Sequence, residues 1–285
     1  MKKILFATTA LVLSAGVAAA DMKLTGNGRM GIVYDDALVG DLKTQFNSRF
    51  RAVFTGSGTT DGGIGFGGTI RADNASNGAS GTAGNVFVSG AFGKVTMGDI
   101  DSALENAVGD LAGVCYVGCG DGNEFGFSGG GDDEGALWSY TLDNFGIHAS
   151  LGQRVAGKDE ASAAVTFSMA PVSIGAGISQ DGGKSQAGVS VSGDLGGATV
   201  KVGYLSNDKA AGSDVKTEIG LSVSASIGTA KVSAYGRQTE AANDTKTQYT
   251  GIGVSQSLGG GATLAGGVAD VAGKSKADLG LTFSF

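Results

Sequence analysis

Between Lys94 and Arg154 the chain has no Lys or Arg, and carboxylates gather in that gap. Asp101, Glu105, Asp110, Asp121, Glu124, Asp132, Asp133 and Glu134 all fall in the stretch 100–134. Arginines collect earlier, at Arg29, Arg49, Arg51 and Arg71. A guanidinium keeps its charge at any relevant pH, so clustered arginines cannot relieve their repulsion by losing protons. They need counter-charge, and the acidic stretch supplies it. Two opposed sets of fixed charges across an opening sort passing solutes by size and sign, as rings of charged side chains do. The other reading of the stretch is a solvated acidic surface loop.

Other residues capable of chemistry are sparse. Cys115 and Cys119 lie inside the same stretch with three residues between them. An exported chain favours a disulfide there; two free thiols or a metal pair are the alternatives. Zinc wants further ligands, and His148 is the only histidine. Oxygen ligands in the acidic stretch suit Ca²⁺, but no EF-hand-like spacing supports it, so no cofactor and no metal site are expected. Gly26-Asn27-Gly28-Arg29-Met30-Gly31 matches G-x-G-x-x-G, but inside a strand pattern with no helix to follow. Gly126-Phe127-Ser128-Gly129-Gly130 matches G-x-S-x-G without the strand and helix that build a nucleophile elbow. No enzyme is expected.

The elements that position these residues are strands. In Gln45–Phe54 the even positions read Phe, Ser, Phe, Ala, Phe and the odd ones Gln, Asn, Arg, Arg, Val. A strand sends the two sets to opposite faces. Sixteen such segments are predicted, near 22–34, 44–56, 63–72, 85–92, 94–99, 135–142, 145–154, 160–169, 172–180, 184–194, 197–206, 215–227, 230–240, 246–258, 261–270 and 275–285. Helical periodicity is almost absent. Tight connections at Gly93-Lys94, Asp143-Asn144, Ala170-Pro171, Leu195-Gly196-Gly197, Gly228-Thr229 and Gly259-Gly260-Gly261 alternate with mostly longer, polar ones at 35–43, 73–84, 100–134, 207–214 and 241–245. The segment 57–62 is long for its side, and Asp181-Gly182-Gly183 is short for its side.

The N-terminus reads as an address. Lys2 and Lys3 precede a short apolar run that ends in Ala18-Ala19-Ala20. That is the layout of a signal peptide, residues 1–20, with the barrel domain over 21–285. The formal charge of −7 argues against nucleic acid as a partner.

The apolar face of the sixteen segments is read as free of Lys, Arg, Asp and Glu. A one-residue slip of the second segment would send Arg49 and Arg51 to that face, at about 2–4 kcal/mol each at a bilayer midplane, so the register is well specified. A soluble sandwich would leave edge strands needing protection by charge or Pro, and the chain has only Pro171. Closure is the simpler solution: an all-β transmembrane antiparallel barrel of even strand number. Tyr34, Phe54, Phe66, Phe92, Trp138, Tyr140, Phe145, Tyr204 and Phe285, near segment ends, suit interfacial girdles. Sixteen strands leave an aqueous lumen, lined by Lys23, Arg29, Gln45, Asn47, Arg49, Arg51 and Arg71. Gly26, Gly28 and Gly68 put small residues on the outer face, where another subunit can approach.

These residues resemble the alphaproteobacterial general diffusion porins. The likeness lies in Met22–Gly31, in Arg49–Asp61, in Gly90–Asp99 and in the close Ala277–Phe285. The resemblance implies an outer-membrane location, a homotrimer in the lipid bilayer and a third loop folded into the lumen. It implies passive diffusion of small polar solutes and ions past an arginine wall formed by Arg29, Arg49, Arg51 and Arg71. Within the loop it points first to Glu105 and Asp110, then to Asp121 and Glu124. A substrate-specific channel is the alternative; it needs aromatic or hydrogen-bonding tracks, and the inner faces are mostly Ser, Gly and Thr. The chain is also shorter than the family pattern, with trimmed outer loops.

Overall fold

The computed structural model describes residues 21–75, 81–128, 135–152 and 160–285. The signal peptide assigned to 1–20 lies outside the described residues, as do Asp132, Asp133, Glu134, Arg154 and the Gly129-Gly130 end of the G-x-S-x-G match.

A chain whose side chains alternate between apolar and polar needs a different solvent on each side of its sheet. This one forms sixteen antiparallel strands that close on themselves. They are β1 (Asp21–Asp35), β2 (Thr44–Thr59), β3 (Gly65–Ala75), β4 (Gly81–Gly90), β5 (Gly93–Gly98), β6 (Gly135–Leu142), β7 (Phe145–Gly152) and β8 (Glu160–Met169). Then follow β9 (Val172–Asp181), β10 (Lys184–Asp194), β11 (Ala198–Asn207), β12 (Val215–Ile227), β13 (Ala230–Ala241), β14 (Lys246–Gly259), β15 (Ala262–Val271) and β16 (Lys274–Ser284). Each strand pairs with its sequence neighbours, and β1 zips to β16 in the register Met30↔Leu281. Closure leaves no unpaired edge, as lipid demands.

Alternation sorts the faces as the sequence predicts. Phe46, Phe50 and Phe54 of β2 point outward, with Phe46 83% exposed, while Asn47 between them is buried inside. The outer face is not wholly uncharged, however. Glu240 and Lys246 have outward parity but sit at the strand ends nearest the longer loops, where they pair at 3.3 Å. Asp270, also at a strand end, accepts the Gly273 N–H. Water is within reach there, so these charges are tolerated. Aromatics do ring the short-turn end: Trp138 donates to the Phe92 carbonyl and stacks on Tyr140, and Phe145 packs on Phe167.

The strand boundaries differ from expectation in one region. β3 and β4 run further toward the loop than 63–72 and 85–92: 73–75 and 81–84 of the connection predicted at 73–84 are strand, and 76–80 lie outside the described residues. Polar Asp73 and Asn74 continue the ladder, opposite Arg51 and Phe50: Asp73 keeps the lumen side polar, and Asn74 falls on the outer face at the strand end. The turn expected at Gly93-Lys94 falls on Ala91-Phe92. Gly93, at φ 95°, supplies the backbone freedom at the turn's exit and already belongs to β5.

The buried apolar cluster lies inside the barrel. Leu104, Val108, Leu111, Val114 and Phe125, all from the segment between β5 and β6, pack on Leu205 of β11 and Tyr235 of β13. Those two wall residues are apolar on a face otherwise rich in Ser, Thr and Gly, because a folded segment covers them.

Candidate functional site

The segment that starts at Asp99 turns into the lumen and follows the wall. It is not wholly irregular, as the sequence reading had it: a short helix, α1 (Ala103–Val108), forms at its start. Ser102 caps this helix by accepting the Glu105 N–H. The Ser102-x-x-Glu105 pattern was the available signal for it.

An outgoing arm, residues 102–117, crosses the strands in order. The backbone N–H groups of Ala103 and Leu104 donate to the hydroxyls of Ser150 on β7 and Ser162 on β8. Ser190 on β10 donates to the Val108 carbonyl, and the Ala112 N–H donates to Ser222 on β12. Between these contacts the wall offers glycine. A Cβ on Gly175 of β9 would lie 1.9 Å from the Ala107 oxygen, and one on Gly253 of β14 would lie 1.5 Å from the Val114 oxygen. Gly220, Gly267 and Gly280 likewise have atoms of this arm where a side chain would stand. The arm is therefore seated against bare backbone across successive strands.

The tip reaches the barrel seam. Cys115 and Cys119 are joined by a disulfide. The buried Asp278 carboxylate of β16 accepts the N–H groups of Tyr116 at 3.1 Å and Val117 at 2.9 Å. The Tyr116 hydroxyl reaches the Asn47 carbonyl on β2. A returning arm, residues 118–128, runs back nearer the long-loop end. Arg237 of β13 donates to the Gly122 carbonyl, Glu218 of β12 accepts the Gly126 N–H, and Gln186 of β10 bonds both Gly126 and Ser128. Glu218 and Arg237 also pair with each other, 3% and 9% exposed. Asp110 ties the two arms together by accepting the Phe125 N–H at 2.8 Å.

The four candidate arginines stand together on the wall that the returning arm leaves clear. Arg29 of β1 lies directly opposite Arg49 of β2, Arg51 lies opposite Asp73 of β3, and Arg71 lies opposite Val53. Two of them have direct acid partners, Asp73 on the wall and Asp99 where the loop leaves β5. Asp73 holds Arg51 through two bonds of 2.6 Å, and Asp99 lies 3.9 Å from Arg71. Asp73 escaped the sequence reading because it was placed in a loop; its spacing of two from Arg71 puts both on one face.

Of the loop acids, Glu105 sits in α1 beside β7 to β10, half-buried. Asp110 is half-buried between the arms, while Asp121 and Glu124 are exposed on the returning arm. Burial pushes the Asp110 carboxyl up. Burial also raises Glu124, and Asp121 and Asp110 add to it. None of the four makes a direct contact with the arginine cluster among the described residues. His148 bonds Ser139 and Thr166, whereas the Ser128 hydroxyl bonds Ser179 and Gln186, so the two are not brought together.

A closed barrel with an apolar exterior, a polar and charged wall and a loop bound across its lumen defines a transmembrane channel. The model of the Gram-negative porin family matches residues 7–276, and the chain belongs to that family. It is 30% identical to a porin of Rhodobacter capsulatus over 306 residues, covering 93% of this chain and all of that one. A porin structure refined at 1.8 Å resolution superposes with a TM-score of 0.80 at 29% identity, covering 93% of this chain and all of the other. A substituted form of Rhodopseudomonas blastica porin shares the fold with a TM-score of 0.77 at 23% identity and the same coverage. The protein is an outer-membrane diffusion channel for small solutes, and not an enzyme.

Proposed function

We propose that diffusion through this channel is sorted by a field set across the lumen, positive at Arg29, Arg49, Arg51 and Arg71 and negative at the loop. Asp121 and Glu124 supply the exposed part of the negative side, with Glu105 and Asp110 behind them. The observation that carries this is the loop bonded along the wall from β7 to β16 and β2, with the arginines on β1 to β3 beside its end. Small hydrophilic solutes and ions pass without saturation.

Trimming residues 103–128 tests the reading. Single-channel conductance and the size limit for sugars in liposome swelling should both rise. An unchanged size limit sinks the constriction. Selectivity follows the charges. Neutralising Arg51 or Arg71 should move the reversal potential in a salt gradient toward cation preference. Acidification should do the reverse. Asp110 and Glu124 hold protons at higher pH than an ordinary carboxyl. As pH falls through their raised range they lose charge first, and cation preference declines before ordinary carboxylates titrate.

We also propose a homotrimer, exported by a signal peptide cleaved after Ala20. β5, bounded by the turn at Ala91-Phe92 and by Asp99, has six residues. A membrane-spanning strand facing lipid needs about 9–11. A neighbouring subunit shields such a low wall. Gly26 is a weaker argument than its size suggests, because the Phe285 ring of the same chain fills the space above it. Native mass spectrometry of the purified protein counts the chains; a lone chain would remove the trimer.

A further inference from the structure

Outward residues of a membrane barrel meet hydrocarbon, and apolar side chains cover the wall there. On β13 that cover is interrupted at Gly236, where nothing lies within 4 Å of a Cβ position. The gap opens a groove of about 470 Å³ on the outer face, lined by Val202, Ile219, Leu221, Gln238, Gln248 and Thr250. Its polarity changes along the strands. Successive outward rungs of β13 and β14, from the long-loop end, read Glu240–Lys246, Gln238–Gln248, Gly236–Thr250 and Ala234–Ile252. Gln238 lies three residues inside the end of β13, roughly 8 Å below it on a strand tilted by about 40°. That is close to where acyl chains join their headgroups.

The two glutamine amides are reachable and unsatisfied. Gln248 is exposed and Gln238 part-exposed. Neither side chain bonds another group of the protein among the described residues. An amide beside hydrocarbon is costly without partners, and it needs both a donor and an acceptor. The groove also faces lipid. β13 lies eight strands from β5 in the ring of sixteen, on the side opposite the low wall assigned above to a neighbouring subunit. This step rests on that reading of the trimer. An occupant must then be apolar beside Gly236 and Leu221 and able to bond at the glutamines, which is the build of a lipid.

We propose that the groove at Gly236 binds one membrane lipid whose acyl chain is amide-linked. The chain lies over Gly236, between Leu221 and Thr250. Its amide N–H donates to a glutamine carbonyl, and its carbonyl accepts from a glutamine NH₂. An ester-linked chain offers acceptors only and leaves the glutamine oxygens without a donor.

The test is native mass spectrometry of the detergent-solubilised protein, titrated with sphingomyelin or with a phosphatidylcholine of matched chain lengths. The two share a headgroup, but sphingomyelin carries an amide-linked chain. One sphingomyelin should bind per chain, with a Kd about fivefold below that of phosphatidylcholine. Gly236→Leu fills the groove and should remove both adducts. Gln238→Leu should erase the preference while leaving phosphatidylcholine bound. Equal Kd values for the two lipids overturn the proposal. So does sphingomyelin binding that survives Gly236→Leu. The same spectra count the chains, so the trimer and the lipid site are read separately. A lone chain that keeps the preference would remove the trimer and uphold the site. A chain count that falls on Gly236→Leu would make the groove a subunit contact and overturn the proposal.

Discussion

Gly253→Ala should lower the single-channel conductance, and Gly175→Ala should do the same. At both positions the new Cβ meets a backbone oxygen of the outgoing arm, at 1.5 Å and 1.9 Å. A backbone atom cannot rotate aside as a side-chain end can. The arm must move by about 2 Å to restore ordinary contact. The wall is fixed by ladder bonds on both sides, so the arm yields, and it yields toward the pore axis. Overpacking of this kind costs about 1–3 kcal/mol per site, so the barrel should survive while the passage narrows. Gly236→Ala on β13 is the control, since nothing lies within 4 Å of its Cβ position. Conductance equal to the parent's in both Gly175 and Gly253 variants would show that the arm is not seated on these strands.

Arg237→Ala should be among the most damaging single changes at the wall. Arg237 pairs with Glu218, donates to the Gly122 carbonyl and lies 4.1 Å above the Tyr249 ring. Removing it strands a carboxylate that is 3% exposed. Breaking one side of a buried pair costs about 3–5 kcal/mol. The returning arm also loses its bond at Gly122, and Glu218, which holds the Gly126 N–H, loses the partner that positions it. A lower unfolding midpoint in detergent and a flickering open channel are expected together. Replacing both partners, with Glu218→Leu and Arg237→Met, should recover much of the midpoint while leaving the flicker, because the arm still lacks its bonds. A midpoint equal to the parent's for Arg237→Ala would mean that lumen water already solvates the pair.

The barrel was legible in the sequence because lipid imposes a strict rule on alternate residues, as Gln45–Phe54 displays. The arginine wall was legible for the same reason, since parity alone turns Arg29, Arg49, Arg51 and Arg71 inward. The loop's path was not. Glycine carries no facial preference, so Gly175 and Gly253 read as ordinary small residues until an arm lies on them. Leu205 and Tyr235 have the wrong polarity for a wet wall and make sense only under a covering segment. Asp73 was lost at a boundary where a polar strand passes into a polar loop with no change in composition. Helix α1 was too short for its period to register, although its cap was written in Ser102.

The tip's anchors come from opposite ends of the polypeptide. Asp278 belongs to the last strand and Asn47 to the second. They become neighbours only after the first and last strands have met. The docking station for the tip does not exist in a half-built cylinder, so the narrow passage is completed no earlier than the cylinder itself, and a finished gauge is a certificate of finished assembly.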